Sequence, residues 1–311
     1  MALDYAKAYQ QFIDEELSSV SMTQWMTAGE GQIRYDGGKD IEISELQTTG
    51  LGSYDATKTD GSAYPQGAVT NTWTPYTLAM DRGVKFALDR TDPADTNFIA
   101  TAENVMREFA RTQLTKEQDT YRINKIYKTV QGSSLAGTNV LTGTVTTENA
   151  VSELLKTLSA AQKSSEMLSG FVAIISQDHK NAFLQASNQT LSTVTFGNRV
   201  EINGVEYDNV MMFNDLPCLF APQARMQTEI TVGTGRDEDE AGVAAAAGSK
   251  NINFVVASYD SVLAVSKIDS LKQFPPEENQ LFDGTAIQAR YLYDLFVPKN
   301  KVCAIAVHTE A

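Results

Sequence analysis

The chain has 311 residues, and 39 Asp and Glu against 25 Lys and Arg leave a formal charge of -14. With 42 % hydrophobic and 21 % charged residues it has the composition of a folding chain, long enough for about two domains' worth of core. No apolar run approaches a membrane span; two isolated His and two isolated Cys make neither a zinc site nor a disulfide framework; and the acidic balance disfavours general nucleic-acid binding.

A secretory signal is excluded by Asp4 and by Asp14-Glu15-Glu16, which stand where a basic and then apolar segment belongs. The reading is of an acidic, intracellular protein poor in catalytic residue types. Residues 3–20 place Tyr5, Tyr9, Phe12, Ile13, Leu17 and Val20 at helical spacing, a stripe that one helix cannot bury alone. It must pack on a body or on another subunit. Residues 29–92 read as an extended hairpin. Asp36-Gly37-Gly38-Lys39 is a turn signal, Ile41 and Ile43 alternate, and residues 48–72 are polar and carry Gly50, Gly52, Gly61, Pro65 and Gly67. From Tyr76 one long strand puts Leu78, Met80, Val84, Phe86 and Leu88 on a single face, which Arg82 interrupts, with Lys85 on the opposite face. Such a hairpin has too little core to be stable by itself.

Residues 97–130 carry the strongest helical signal, with Thr96 or Asn97 as cap and Gly132 as stop. Phe98, Ala102, Val105, Met106 and Phe109 form one stripe; Ile123, Ile126, Tyr127 and Val130 form another. Unbroken, this helix would be about 50 Å long. Arg107, Arg111, Lys116, Arg122, Lys125 and Lys128 are interleaved with Glu103, Glu108, Glu117 and Asp119, the pattern of a helix laced by ion pairs within or between subunits. A second helix is expected over residues 148–167, a buried strand over 171–175, and a third helix from Ser176 or Asp178 to about Ala186. Asn203-Gly204 marks a hairpin within residues 199–219, and residues 226–232 read as a strand. Residues 233–249, with Asp237-Glu238-Asp239-Glu240 and a run of Ala and Gly, read as an exposed loop. Short strands follow at 253–257 and 262–266, Pro275-Pro276 breaks the chain, and residues 289–297 and 302–307 read as a closing β-hairpin around Pro298-Lys299-Asn300. Without regular βαβ alternation the class is α+β.

Motifs for chemistry are absent. Gly38-Lys39 lacks the earlier glycine of a phosphate loop, and Gly50-Leu51-Gly52 and Gly233-Thr234-Gly235 lack the third glycine of a dinucleotide fingerprint. Asp178-His179 reads as a cap followed by an exposed His, His308 has no evident partner, and Cys218 reads as a small buried hydrophobe. The consecutive acids 237–240 lack the alternate spacing of a calcium loop. No cofactor, metal or catalytic residue is expected.

The layout as a whole, and most closely residues 73–95, the segment Glu117-Gln118-Asp119-Thr120-Tyr121-Arg122-Ile123-Asn124-Lys125-Ile126 and residues 282–307, resembles the tailed-bacteriophage major capsid proteins of the Hong Kong 97 type. The resemblance implies an N-terminal arm (1–28), an extended loop lying across a neighbour (29–92), a spine helix with peripheral domain (93–130), a mainly axial domain with peripheral segments (131–288) and C-terminal strands returning to the body (289–311). It implies a non-enzymatic shell protein that builds hexamers and pentamers around double-stranded DNA in the bacterial host cytoplasm. Its partners would be copies of itself, a scaffolding protein, a portal and decoration proteins, with no membrane. Expected inter-subunit contacts are Tyr9, Phe12 and Ile13 on the arm, Trp73, Tyr76, Arg82 and Lys85 on the hairpin strand, and Arg107, Arg111 and Arg122 on the spine. On this reading Arg82→Glu hinders assembly more than subunit folding. No cleaved scaffolding segment is expected, and no covalent cross-link, Lys58 being the only obvious Lys for one. The rival readings are an encapsulin-type compartment shell and a hydrolase built from scattered carboxylates.

Overall fold

The computed structural model describes residues 21–27, 33–58, 63–89, 101–189, 194–235, 241–279 and 282–311. They fall into two units, residues 28–79 and the remainder. The expected helix over residues 3–20, with Tyr9, Phe12 and Ile13, lies outside the described residues, as does the acidic run 237–240.

The smaller unit is a three-stranded antiparallel sheet of β1 (Ile33–Gly37), β2 (Asp40–Thr48) and β3 (Val69–Thr77), with β2 in the middle. Gly38 turns β1 into β2 at φ +58°, a backbone region that glycine enters without strain. β2 and β3 stay in register from Asp40 opposite Thr77 to Thr48 opposite Val69. Pro75 has no N–H to give a ladder and sits on β3, an edge strand. Beyond the ladder, Thr49 N donates to Ala68 O at 3.0 Å and closes the base of the tip. The rings of Tyr54 and Tyr64 pack in the tip with centroids 4.8 Å apart.

The larger unit begins with a 3₁₀ turn, Gln24–Met26, and continues at β4 (Met80–Asp89). The expected single strand from Tyr76 is therefore two strands, parted at Leu78 and Ala79. β4 leaves its predecessor and pairs antiparallel with β14, named below. Its alternation is as read: Arg82, Val84, Phe86 and Leu88 are half-buried, while Asp81, Lys85 and Asp89 are exposed.

The long helix has two halves, α1 (Ala102–Phe109) and α2 (Thr115–Gln131), joined without a break by a π-helical turn, Ala110–Leu114. Thr101 caps it, its side chain accepting from Asn104 N at 3.3 Å. The expected caps, Thr96 and Asn97, lie outside the described residues. Gly132 ends it as read. A short helical turn (Ala136–Asn139) leads to β5 (Val140–Thr142), then α3 (Ala150–Ser165), the fully buried β6 (Phe171–Ser176) and α4 (Lys180–Gln189).

Next come β7 (Val194–Ile202), β8 (Val205–Phe213) and β9 (Leu216–Ala221). Asn203 and Gly204 both take positive φ, the turn that matches strand twist in a hairpin. Asn214 and Asp215 do the same between β8 and β9. β10 (Ile230–Val232) and β11 (Val243–Ala245) form a small hairpin, so part of the stretch read as a loop is ladder. β12 (Ile252–Ser258) is completely buried. β13 (Leu263–Phe274) is far longer than the five residues expected, and ends at Pro275 as read. β14 (Gly284–Phe296) pairs with β13 on one side and β4 on the other. A 3₁₀ segment, Lys299–Ala304, then carries the chain to β15 (Ile305–Thr309).

The expected closing hairpin is thus not formed. β15 joins a different sheet, antiparallel to β12 and parallel to β5. Alternation in sequence reports a half-buried strand but not its partner, and the 3₁₀ segment after Pro298 redirects the chain between sheets.

That other sheet has seven strands in the order β5-β15-β12-β6-β9-β8-β7. One face packs on Ile123, Ile126 and Val130 of α2 and on Trp25 and Met26. The other packs on Ala150, Leu154 and Ala161 of α3 and Phe183 of α4. A separate core forms where Met106, Ala110, Leu114 and Tyr121 of the long helix meet Ile287, Ala289, Tyr291 and Tyr293 of β14. The class is α+β, as the sequence implied.

Candidate assembly site

The long helix holds the elements from which the chain extends. The apolar stripe of α2 runs through Ile123, Ile126 and Val130, and helical spacing extends it back to Asp119 and Arg122. Both are buried, so two charged side chains occupy core positions. Burial of that kind requires partners.

Asp119 has them. Its Oδ1 accepts from Ser21 Oγ at 2.7 Å and Thr23 Oγ1 at 2.6 Å. Its Oδ2 accepts from Met22 N at 3.2 Å and Arg225 Nη1 at 2.9 Å. Arg122 is 1 % exposed, and its Nη1 donates to Thr23 Oγ1 at 3.0 Å. Burial pushes the Arg122 guanidinium pKa down, with Asp119 opposing that shift. The segment continues into Trp25, whose N donates to Tyr207 Oη at 3.1 Å and whose carbonyl accepts from Asn203 at 2.6 Å. Residues 21–26 are thereby fixed where the N-terminal segment joins the body. Beside Ser21 and Met22 opens a groove of about 790 Å³, lined also by Lys180, Arg199, Tyr207 and Phe220.

Glu117, two residues before Asp119, holds β4. Arg82 Nε and Nη2 grip its two oxygens at 2.6 and 3.2 Å, Arg82 Nη1 reaches Gly233 O at 2.7 Å, and Tyr293 Oη donates to the same carboxylate at 2.5 Å. The bidentate fork is the strong geometry for this pair. Tyr121 Oη donates to Asp294 at 2.8 Å, and Asn124 Nδ2 donates to the carbonyls of Gln227 and Thr228. Together these polar residues reach the segment 21–23, β4, β14 and the loop at residues 225–228.

These positions revise two expectations. Arg122 is interior to its own chain, so it drops out of the set of inter-subunit contacts. Arg82 is engaged by Glu117 of the same chain, so a change there acts first on the subunit. Arg107 and Arg111 are on the surface, 3.3 Å from Glu103 and 3.4 Å from Glu108. Lys85 and Lys58 are exposed. Trp73 is 39 % exposed, and Tyr76 is half-buried opposite Ile41. On the same small unit Leu51, Tyr54, Tyr64 and Val69 are exposed, while Ile41, Ile43, Ala63 and Leu78 are buried.

Sequence reasoning read Glu117 and Asp119 as ion-pairing residues, which they are, but did not place them in the interior, and it did not single out Tyr121 and Asn124. The signal was present: Asp119, Arg122, Ile123, Ile126 and Val130 share one helical face, and charge within an apolar stripe marks a buried network. Cys218 is buried as read, and burial pushes its thiol pKa up. Ser176, one of the two expected caps, starts the turn after β6 by accepting from Asp178 N at 3.4 Å. His179 is half-buried, not exposed, and both His179 and His308 have partners. Among the described residues no group of His, Cys, Asp and Glu is arranged to hold a metal ion, and no helix is long and apolar enough to cross a membrane.

Neither a protein-family model nor a curated protein matches the sequence. Solved structures do. The capsid of cyanophage P-SCSP1u matches at 14 % identity over 96 % of this chain and 88 % of that one, with a TM-score of 0.53. The mature capsid of bacteriophage PhiM1 matches at 12 % identity over 94 % and 87 %, with a TM-score of 0.52. The fold is the Hong Kong 97 type capsid fold. A virus-like particle from Pyrococcus furiosus shares it at 12 % identity over 98 % and 99 %, with a TM-score of 0.51. The polar cluster on α2 lies inside the chain, whereas among the described residues the hairpin, one side of β4 and the charged side of α1 carry exposed side chains.

Proposed function

We propose that this chain is the major capsid protein of a tailed bacteriophage, a structural and non-enzymatic subunit that assembles into an icosahedral shell of hexamers and pentamers around double-stranded DNA. The observation that carries this reading is the unit of residues 28–79. It is a three-stranded sheet on which, among the described residues, few apolar side chains are buried and Leu51, Tyr54, Tyr64, Val69 and Trp73 are exposed. A sheet with so small a core of its own gains stability by packing on a further surface, and Trp and Tyr are enriched among the residues that dominate protein–protein contacts. In a shell of identical subunits that surface belongs to a neighbour, and modest contacts repeated around the lattice add up.

The contacts proposed between copies are Trp73, Tyr76 and Lys85 of the hairpin and β4, Arg107 and Arg111 of α1, and Tyr9, Phe12 and Ile13 of the arm. A scaffolding protein, a portal and decoration proteins complete the set of partners, and the shell matures into the virion after assembly in the bacterial cytoplasm. The acidic charge suits a container that does not grip its nucleic acid.

Electron microscopy of particles purified from infected cells tests the reading. Icosahedral shells that contain double-stranded DNA are expected. A small soluble oligomer would overturn it. The likeness to the Pyrococcus furiosus particle supports one second reading, a compartment shell of encapsulin type. Shells that hold protein cargo and no DNA would favour that one.

A further inference from the structure

The chain has two histidines, and both lie against one side chain, Asn253. Asn253 is 4 % exposed and occupies the point where the pairing of β12 with β15 slips, between Ile252 and Phe254. A bulge of this kind re-aims a side chain. Asn253 Oδ1 is 3.0 Å from His179 Nε2, and Asn253 Nδ2 is 3.1 Å from His308 Nδ1. Nδ2 also reaches Gly143 O at 3.4 Å. That contact fixes the direction of the amide, since turning it over would set two acceptors against each other. Asn253 therefore accepts from His179 Nε2–H and donates to His308 Nδ1. His308 is completely buried, and in this arrangement its Nδ1 bears no proton and its Nε2 does.

His179 donates to Asn253 from Nε2. A second proton on His308 sits on Nδ1 and points at the Asn253 amide N–H. The other groups facing His308 are few. Glu153 Oε2 of α3 is 3.5 Å from Nε2, and Lys156 of the same helix holds the other Glu153 oxygen at 2.7 Å. β12 adds the ring of Phe254 at 5.3 Å. The Gly143 loop presents a backbone carbonyl, and α2 packs on the opposite face of the sheet with Ile305 and Val307.

We propose that His308 is a proton-sensitive joint: neutral, it ties β15 to β12 and, through Asn253, to the start of α4; protonated, it repels the Asn253 amide and loosens the last strand. Burial holds the ring pKa below its ordinary 6.5; Glu153 pulls the other way, and His179 and Lys156 add to the effect of burial. The unfolded chain thus binds this proton more readily than the folded one. Stability from the site is complete above about pH 6.5 and declines as pH falls below it. The inference concerns the interior of one subunit and does not depend on what the shell contains.

Histidine-labelled ¹⁵N NMR of the full chain tests it, in solution for subunits and by magic-angle spinning for particles. His179→Gln assigns the two rings. Expected at pH 7.5 is a His308 ring with bare Nδ1 and protonated Nε2, which resists titration until well below pH 6.5. Amide exchange in β15 should accelerate as it titrates. A protonated Nδ1 at pH 7.5, or ordinary titration with β15 unchanged, would overturn the proposal. His308→Asn keeps an acceptor near the Nδ1 position without a titrating ring. Wild type should lose at least about 3 °C of Tm between pH 7.5 and 5 beyond what His308→Asn loses. Parallel losses would also count against the joint, and if the variant does not fold the wild-type titration decides.

Discussion

At Asp119 one carboxylate collects four donors from two parts of the chain, residues 21–23 and Arg225, and its neighbour Arg122 adds a bond to Thr23. Removing one partner of a buried, hydrogen-bonded charge leaves the others without compensation, at about 3–5 kcal/mol. Asp119→Ala should therefore lower subunit stability by about that amount in chemical denaturation. An unchanged midpoint would mean that residues 21–26 are held by something else. Arg82→Glu should do comparable damage, because it sets a second carboxylate against Glu117 in a largely buried site. Arg107→Ala removes a surface i,i+4 pair and should cost no more than about 0.5 kcal/mol. If Arg82→Glu folds normally and fails only to assemble, Arg82 serves the contact between subunits and not its own chain. A sequence reader ranks these arginines alike, since charge is visible and depth is not. Phase alone does not separate them, since in a regular helix Arg111 stands three turns before Arg122 and near the same face, yet the structure buries Arg122 and leaves Arg111 exposed.

Elements differ in how far they announce themselves. β6 is a continuous apolar run, buried at every position, and could be read directly. The Asn203-Gly204 turn is equally local, because the dihedral demand sits on the two residues that meet it. β13 hid its length, since Lys267, Asp269, Ser270 and Lys272 interrupt the apolar positions of a strand held by pairing along β14. The false closing hairpin has the same origin: what pairs with β14 and β15 is decided by residues far away in sequence. The β2–β3 hairpin yields a prediction at this scale. Trp73→Ala, or Tyr54 and Tyr64 changed together to Ser, should leave the Tm of the unassembled subunit within about 2 °C, as expected for exposed positions, while particle yield falls severely. Normal particle yield would remove these aromatics from the proposed contacts.

For the molecule as a whole, composition was informative by what it lacked. Scarce His and Cys gave no metal or disulfide framework to reason from, and the order of elements carried the resemblance. The candidate contacts were less legible than the fold, because a surface meant for another copy looks, in one sequence, like any half-polar surface. The buried cluster on α2 was half-visible, with the right segment picked out and its polar residues assigned to the outside. Acid should show at this scale too. If His308 behaves as proposed, particles held near pH 5 should soften at their last strand first, and hydrogen exchange mapped across the chain would place the earliest loss of protection in β15 and β12.

The π-helical turn of residues 110–114 has a further consequence. There Thr115 N–H bonds to Ala110 O, five residues back, and the Thr115 hydroxyl reaches the same oxygen at 2.9 Å. One extra residue in a turn rotates all that follows by about 100° relative to a regular helix. That offset lets a single rod present Met106 and Ala110 to the sheet of β14 and, further along, Ile123 and Ile126 to the seven-stranded sheet. The rod resembles a camshaft, with two lobes keyed at different angles on one axis. Deleting Thr112 would re-key the lobes while changing no core residue, and should yield insoluble chain where Thr112→Ala yields normal protein.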